Sequence, residues 1–202
     1  MSSFTCQSRQ HQRTGGKGMN IVNIIDQHTF ALKHAVAQAS IQQRKSLIKA
    51  IFNFYAKLPD FEKVIAEHYQ IHINQTQLFD DIEQDNLSTY WQQIQQANAS
   101  IDEYADDYEE QEALVVNALD AFALMVADQA KVQALVALFS MIIELLDYYA
   151  NFADNATDWQ LLLEKEIAFQ QQIFRQIAEK CLFDSSVYCV QYQNVEFTVL
   201  DA

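Results

Sequence analysis

The chain has 202 residues, of which 50% are hydrophobic and 20% are charged, and its formal net charge is −14. This size fits one domain with a full hydrophobic core, and the composition is typical of a globular protein and not of a disordered one. A surface with this much negative charge repels nucleic-acid phosphates and anionic membranes. We therefore expect neither as a partner. The charge suits a basic protein partner, a cation or plain solubility, of which solubility is the simplest interpretation.

Glycine is confined to the start of the chain, at Gly15, Gly16 and Gly18, and Pro59 is the only proline. Phosphate-binding loops and dinucleotide fingerprints need glycine at fixed places. Since residues 19–202 contain no glycine, this part of the chain can form neither motif. Two-residue β-hairpin turns also favour glycine. The composition therefore predicts helices that are joined by short connections containing Asn, Asp and Ser.

The first eighteen residues are polar and basic, with Arg9, Arg13 and Lys17 and no acidic residue. They contain no apolar run of the kind that a secretory signal needs. We predict that residues 1–18 are a disordered leader, either a remnant of a cloning vector or the product of an upstream start. Residues 19–202 are predicted to form a single helical domain.

The three cysteines, Cys6, Cys181 and Cys189, are an odd and scattered set. Such a set suggests free thiols in a reducing compartment and not a disulfide framework. We therefore expect a cytoplasmic protein.

Apolar residues recur with helical spacing from residue 20 to residue 181. Ser40 and Gln43 have the spacing of a capping box, which marks the start of a helix, and Pro59 cannot continue one. The predicted helices cover, approximately, residues 20–38, 40–57, 60–69, 74–97, 109–128, 129–151 and 157–181. The fold class is thus an all-α bundle of about seven helices.

The helices predicted over residues 109–128 and 129–151 form the centre of this fold. The second is apolar on most sides, with its small and polar residues on one narrow line, so we predict that it is buried. Its apolar run from Ala134 to Ile143 is shorter than the roughly 20 residues that cross a bilayer, which favours a core helix over a membrane span.

The pattern changes after the last predicted helix. From Val187 to Leu200 most residues are β-formers, and Gln193 and Asn194 fit a turn between two strands. We predict a small C-terminal β-hairpin or an extended tail that packs on the bundle.

Three stretches resemble a known bacterial family. Leu58-Pro59-Asp60-Phe61 is similar to the Pro-Asn-Tyr step that follows the second helix in that family. Residues 108–124 resemble the family's central helix, which has an Asp followed by small and apolar residues. Residues 164–173 resemble its last helix, which is acidic and contains Phe-Gln. Over roughly residues 20–181 the chain resembles the YjaG-like domain of unknown function. The resemblance implies an all-helical cytosolic protein and supplies no catalytic residues. The leader and the β-like C-terminus have no counterpart in that family.

Four polar residues in the two central predicted helices are the first candidate site. Asn117 and Asp120 lie one turn apart in the first helix, and Glu144 and Asp147 lie one turn apart in the second. Antiparallel packing would let the four face one another as a polar seam, in which paired carboxylates act as acid and base or hold a cation. The alternative, which we favour, is a stripe that faces solvent, because a buried charge without partners is costly.

His68 and His72 are a weaker candidate. They are four residues apart at a predicted helix end, and that spacing on one helical face can hold a transition metal. No His-Glu-x-x-His motif accompanies them, and exposed or capping histidines are the simpler interpretation. We therefore predict no metal and no cofactor.

The acidic run from Asp102 to Glu112 lacks the alternating ligands and the glycine of a calcium loop. We predict a solvated loop that leads into a helix N-terminus, where acidic residues favour the helix dipole.

The sequence offers no catalytic constellation, since it has no nucleophile elbow and no Cys-x-x-Cys motif. We therefore predict a non-enzymatic protein-interaction module that binds a protein partner or associates with itself, for example as a homodimer. The alternative is an acidic immunity-type protein or inhibitor that neutralises a basic toxin or nuclease. A partner whose association rate falls steeply with salt would favour the alternative, and salt-insensitive self-association would favour an apolar dimer.

Overall fold

The computed structural model describes residues 21–100, 112–127 and 131–200, without the side chains of residues 21–26. Within these ranges the prediction of an all-α fold is confirmed, with nine helices and no strand. The helices are α1 (Ile21–Gln38), α2 (Ile41–Tyr55), α3 (Phe61–Tyr69), α4 (Gln75–Gln84), α5 (Ser88–Ala99), α6 (Ala113–Val126), α7 (Val132–Phe152), α8 (Ala156–Ala178) and α9 (Val187–Gln191).

The single helix predicted over residues 74–97 is two helices, α4 and α5. Asp85 adopts a left-handed conformation with φ of 59°, which ends α4. Lys45 of α2 holds this end, since its ammonium group donates to the Glu83 carbonyl (2.8 Å) and forms a salt bridge with Asp85 (2.7 Å). A contact from a distant helix therefore fixes a break that local spacing did not reveal.

The predicted C-terminal β-hairpin is wrong for the described residues. Val187–Gln191 is helical, and Val195 to Leu200 form neither helix nor strand. Tyr188 and Tyr192 lie one helical turn apart and are fully buried, and Phe197 of the following segment is buried as well. Burial of these rings outweighs their β-propensity, which is a weak and context-dependent preference. The alternative prediction, a tail that packs on the bundle, describes residues 195–200 better.

The shortage of glycine has a visible consequence at the helix ends. Among the described residues, four that are not glycine have positive φ, namely Asp60, Gln70, Asp85 and Lys180. Gln70 and Asp85 directly follow α3 and α4, and Lys180 lies two residues after the end of α8. Glycine is the usual residue with positive φ at such helix ends. The left-handed conformation costs a residue with a Cβ roughly 1 kcal/mol, so these positions carry strain that glycine would relieve.

The capping box predicted at Ser40 and Gln43 is present. The Ser40 hydroxyl accepts from the Gln43 amide (3.2 Å), and the Gln43 side chain accepts from the Ser40 amide (2.9 Å). The Gln43 side-chain amide also donates to the carbonyls of Ile177 (3.1 Å) and Cys181 (2.9 Å). The start of α2 therefore satisfies backbone groups at the end of α8.

α7 is the central helix and packs against α1, α6 and α8. Leu135, Leu138, Phe139 and Ile142 are fully buried, as the sequence predicted for a core helix. In the part of the chain that the structure describes, α7 is also the one helix long and apolar enough to cross a membrane. Its packing in the middle of the bundle is that of a core helix.

Two predictions lie outside the described residues. They are the disordered leader, residues 1–18, and the acidic run up to residue 111. Glu112, the last residue of that run, occupies the N-cap position of α6.

Candidate functional sites

The predicted polar seam lies on two helices that pack against each other, α6 and α7. Asp120 and Glu144 are exposed, whereas Asn117 and Asp147 are half-buried. No hydrogen bond joins any two of the four side chains, and the Asn117 Oδ1 atom is buried without a hydrogen-bond partner. The structure therefore does not bring these carboxylates together in a dry site, although partial burial raises the pKa of Asp120.

The two candidate histidines do not share one helical face. α3 ends at Tyr69 and Gln70 turns left-handed, with φ of 59°, so the chain changes direction between His68 and His72. The His68 ring lies against Tyr69, and burial lowers the pKa of His68. Across the described residues, no group of three or more His, Cys, Asp or Glu side chains is placed to hold a metal ion.

His72 instead lines a polar hollow of about 330 Å³ beside α4 and α5. Asp81 is one of the residues in its wall, and its buried carboxylate accepts from the side chains of Gln77 (3.0 Å), Asn86 (3.2 Å) and Tyr90 (2.9 Å). We call this the Asp81 hollow. Its donors all come from α4, α5 and the turn between them, so it clamps that turn.

A second carboxylate, Glu166 of α8, is completely buried, with 0% of its surface exposed. The Tyr188 hydroxyl donates to Oε1 (2.8 Å), the Tyr192 hydroxyl donates to Oε2 (2.7 Å), and the Gln170 amide donates to Oε1 (2.8 Å). We call these four residues the Glu166 cluster. Both carboxylate oxygens are occupied, so the cluster fastens the C-terminal segment to α8.

The cluster continues through Gln170 to two further helices. Its amide nitrogen also donates to the Phe139 carbonyl of α7 (3.1 Å), and its amide oxygen lies 2.7 Å from Nε2 of His28 on α1. Because an amide oxygen can only accept, Nε2 of His28 carries the proton. Burial lowers the pKa of His28, which agrees with a neutral ring.

Burial raises the pKa of Glu166 to about 7, although its three hydrogen bonds act in the opposite direction. Burial also holds the pKa of Tyr188 and Tyr192 well above the ordinary value, so both phenols stay protonated and donate. A carboxyl group with a pKa near 7 is suited to proton transfer in neutral solution. Here it has no exposed surface and no free oxygen, so a substrate has no place beside it.

The sequence contained a signal for this cluster that the reasoning from motifs missed. The buried residues of α8 recur at alternating spacings of four and three, and Glu166 and Gln170 occupy two positions of that apolar stripe. The stripe consists of Trp159, Leu163, Glu166, Gln170, Ile173 and Ile177. Two polar residues in such a stripe indicate a buried network, because a polar group in a core needs hydrogen-bond partners.

The third feature is a groove at the corner where α7 meets α8. It consists of two adjoining hollows, of about 420 and 350 Å³, which share Asn155, Trp159 and Glu196 in their walls. We call them the corner groove. Large apolar side chains stand exposed around it, with Phe152 70%, Leu161 50% and Val199 53% exposed.

The charges of the corner groove are unbalanced. Asp154 and Glu196 line the first hollow, and Asp158, Glu196 and Lys165 line the second. The groove thus has three acidic side chains and one basic one, and all four are exposed.

The walls of the groove are in contact with the C-terminal segment, residues 187–200. Phe197 packs against the rings of Tyr149 and Trp159, at centroid distances of 5.6 and 5.5 Å. The Tyr149 hydroxyl donates to the Thr198 carbonyl (2.6 Å), and the Trp159 indole donates to Asn155 (2.8 Å). The groove is therefore built on a packed aromatic base.

Comparison with known proteins finds no matching family model, no matching curated protein and no matching solved structure. The resemblance to the YjaG-like family thus stays a prediction.

Proposed function

We propose that the protein is a non-enzymatic protein-interaction module and that the corner groove is its binding surface. The observation that carries this proposal is the exposure of Phe152, Leu161 and Val199 around one groove. Exposed apolar surface that is grouped and rimmed by polar residues is typical of protein interaction sites. Burial of such surface is favourable by about 25 cal/mol per Å², so a partner that covers these side chains gains affinity.

The Glu166 cluster supports the non-enzymatic part of the proposal. Among the described acidic residues, Glu166 has a pKa of about 7, which suits proton transfer at neutral pH, yet it is sealed inside the bundle. Neither hollow of the corner groove has Glu166 in its wall. Its hydrogen bonds give it a structural role instead.

The alternative function is an acidic immunity-type protein or inhibitor that neutralises a basic toxin or nuclease. The net charge of −14 and the excess of acidic side chains at the corner groove favour it. Charge of this kind steers a basic partner and speeds association at low salt. Under both functions we expect a cytoplasmic protein without a nucleic-acid or membrane partner.

A capture experiment with matched variants tests the proposal. The full chain would be tagged in its native host and compared with the double variant Phe152→Ser, Leu161→Ser and with the control Phe30→Ser. Phe30 is 78% exposed on α1 and lines neither hollow. We expect a partner that the wild type and the control retain and that the double variant loses.

Equal capture by all three proteins would contradict the corner groove as the binding surface. Light scattering of the same proteins separates a foreign partner from self-association, because a homodimer through the groove would dissociate in the double variant alone. A toxin or nuclease as the partner, with an association rate that falls steeply with salt, would favour the alternative function.

A further inference from the structure

The two hollows of the corner groove lie side by side along one surface. Asn155, Trp159 and Glu196 belong to both, and each hollow has its own exposed apolar side chains beyond this shared wall. Phe152 and Val199 belong to the first hollow and Leu161 to the second. An occupant that covers all three must therefore extend across the shared wall, as a polypeptide segment with two apolar side chains can.

The acidic side chains of the groove are available to such an occupant. Among the described residues, no salt bridge or side-chain hydrogen bond engages the carboxylates of Asp154, Asp158 or Glu196. Unengaged carboxylates beside apolar surface favour lysine or arginine, since these side chains pair with the carboxylate and also lay their methylene stems on apolar groups.

We infer that the corner groove binds a segment of a partner protein that combines lysine or arginine with two apolar side chains. This inference rests on the proposed function and names the chemistry of the partner. One apolar side chain packs in each hollow, and the basic residues meet the carboxylates on the rim.

Lys165 makes the two hollows unequal. It faces the second hollow, where it offsets Asp158, whereas the first hollow has Asp154 and Glu196 and no basic residue. The basic residues of the segment therefore lie at the first hollow. This asymmetry sets the direction in which the segment runs.

Two other occupants are outcomes of the test. A second copy of the chain has a net charge of −14 and is repelled by the rim. Residues 1–18 of the chain itself have the matching charge, with Arg9, Arg13 and Lys17 and no acidic residue.

A displayed library of random peptides, selected on the full-length protein and counter-selected on Phe152→Ser, tests the inference. We expect the recovered peptides to carry net positive charge and two apolar residues. Their affinity would be followed through the fluorescence of Trp159, which lies in the shared wall, in a Trp91→Phe background. The double variant Asp154→Asn, Glu196→Gln should weaken binding about tenfold or more, whereas the control Glu164→Gln on the exposed face of α8 should not.

Three outcomes would each overturn the inference. The recovered peptides have no net positive charge, the carboxylate variant binds them as well as the wild type does, or no peptide that depends on the groove is recovered. Self-association that Phe152→Ser abolishes would also overturn it, while it would support the proposed function. If peptides bind only after Arg9, Arg13 and Lys17 are changed to serine, the groove holds the chain's own segment, and an external partner is overturned. Loss of the native partner by the Phe152→Ser, Leu161→Ser variant, together with its retention by the carboxylate variant, would overturn this inference and leave the proposed function standing.

Discussion

Asp81 and Glu166 are two buried carboxylates with the same kinds of donor, a tyrosine hydroxyl and a side-chain amide. Asp81 takes its three donors from residues four, five and nine positions away in the sequence. Glu166 takes one donor from four positions away and the other two from 22 and 26 positions away. The first carboxylate organises a local turn, and the second joins distant parts of the chain.

The two sites also differ in their access to water. The Asp81 carboxylate lies at a hollow that opens to solvent, whereas Glu166 has no exposed surface. Through Gln170, the Glu166 cluster reaches α7 and α1 as well as the C-terminal segment. Equal numbers of hydrogen bonds therefore serve different purposes, since only the sealed carboxylate links α8 to α1, α7 and the C-terminal residues.

The largest difference should appear when each carboxylate is removed. Glu166→Ala leaves two phenols and an amide without an acceptor and opens a cavity, so we expect a loss of about 3–5 kcal/mol in the free energy of unfolding. Asp81→Ala should cost about 1–2 kcal/mol, because water in the hollow can replace the carboxylate. Urea unfolding of both variants measures this, and equal losses would contradict the distinction between a local and a global role.

The stability of the sealed site should also depend on pH. The pKa of Glu166 rises from its ordinary 4.5 to about 7 on folding, so the folded protein binds this proton more tightly than the unfolded chain does. Proton binding at Glu166 therefore contributes about 3 kcal/mol to the free energy of unfolding. This contribution is complete below pH 4.5 and is lost as the pH rises through 7.

Glu166→Gln cannot ionise and should lack this part of the pH dependence. Urea unfolding of the wild type, Glu166→Gln and the exposed control Glu164→Gln at pH 5 and pH 8 tests this. The pKa of His28 is lowered in the fold, so its contribution has the opposite sign, but it is present in all three proteins and cancels in the comparison. A wild type and a Glu166→Gln variant with the same pH dependence would refute the ionisation of Glu166 as its source.

A smaller effect is expected from the tyrosines. Tyr192→Phe removes a donor from a fully buried carboxylate oxygen and should cost about 2 kcal/mol. Tyr90→Phe removes a half-buried donor from Asp81, beside a hollow that opens to solvent, and should cost about 1 kcal/mol. Tyr192→Phe should also increase amide hydrogen exchange in residues 187–200, because hydrogen bonds to Glu166 anchor that segment to α8. Exchange that stays unchanged would mean that the packing of Phe197 alone holds the segment.

The parts of this structure that the sequence predicted well depend on local contacts. The capping box of Ser40 and Gln43 spans three residues, and the core helix α7 follows from its own apolar pattern. The predicted helical face shared by His68 and His72 failed because Gln70 turns left-handed without a glycine to mark the turn.

The Glu166 cluster could be predicted only in part. The spacing of Glu166 and Gln170 within the stripe of α8 indicates that both are buried. Their partners Tyr188 and Tyr192 lie within the stretch predicted to be a β-hairpin, and nothing in local spacing places them over α8. The corner groove has the same origin, since one of its walls is the C-terminal segment that those tyrosines hold in place.

The smallest effect should come from carboxylates that have no donors at all. Asp120 and Glu144 of the predicted polar seam are exposed, and neither side chain accepts a hydrogen bond from a described residue. Asp120→Leu and Glu144→Leu should therefore each change the free energy of unfolding by no more than about 0.5 kcal/mol, and loss of a negative charge from so acidic a chain favours a small gain. Partial desolvation of the Asp120 carboxyl group raises its pKa, so its ionised form is disfavoured in the fold and its removal should be the more favourable of the two. Urea unfolding together with partner capture checks both variants. A large loss of stability would show that these exposed carboxylates have a structural role, as Glu166 does. Loss of the partner with the corner groove intact would show that the seam is a binding site.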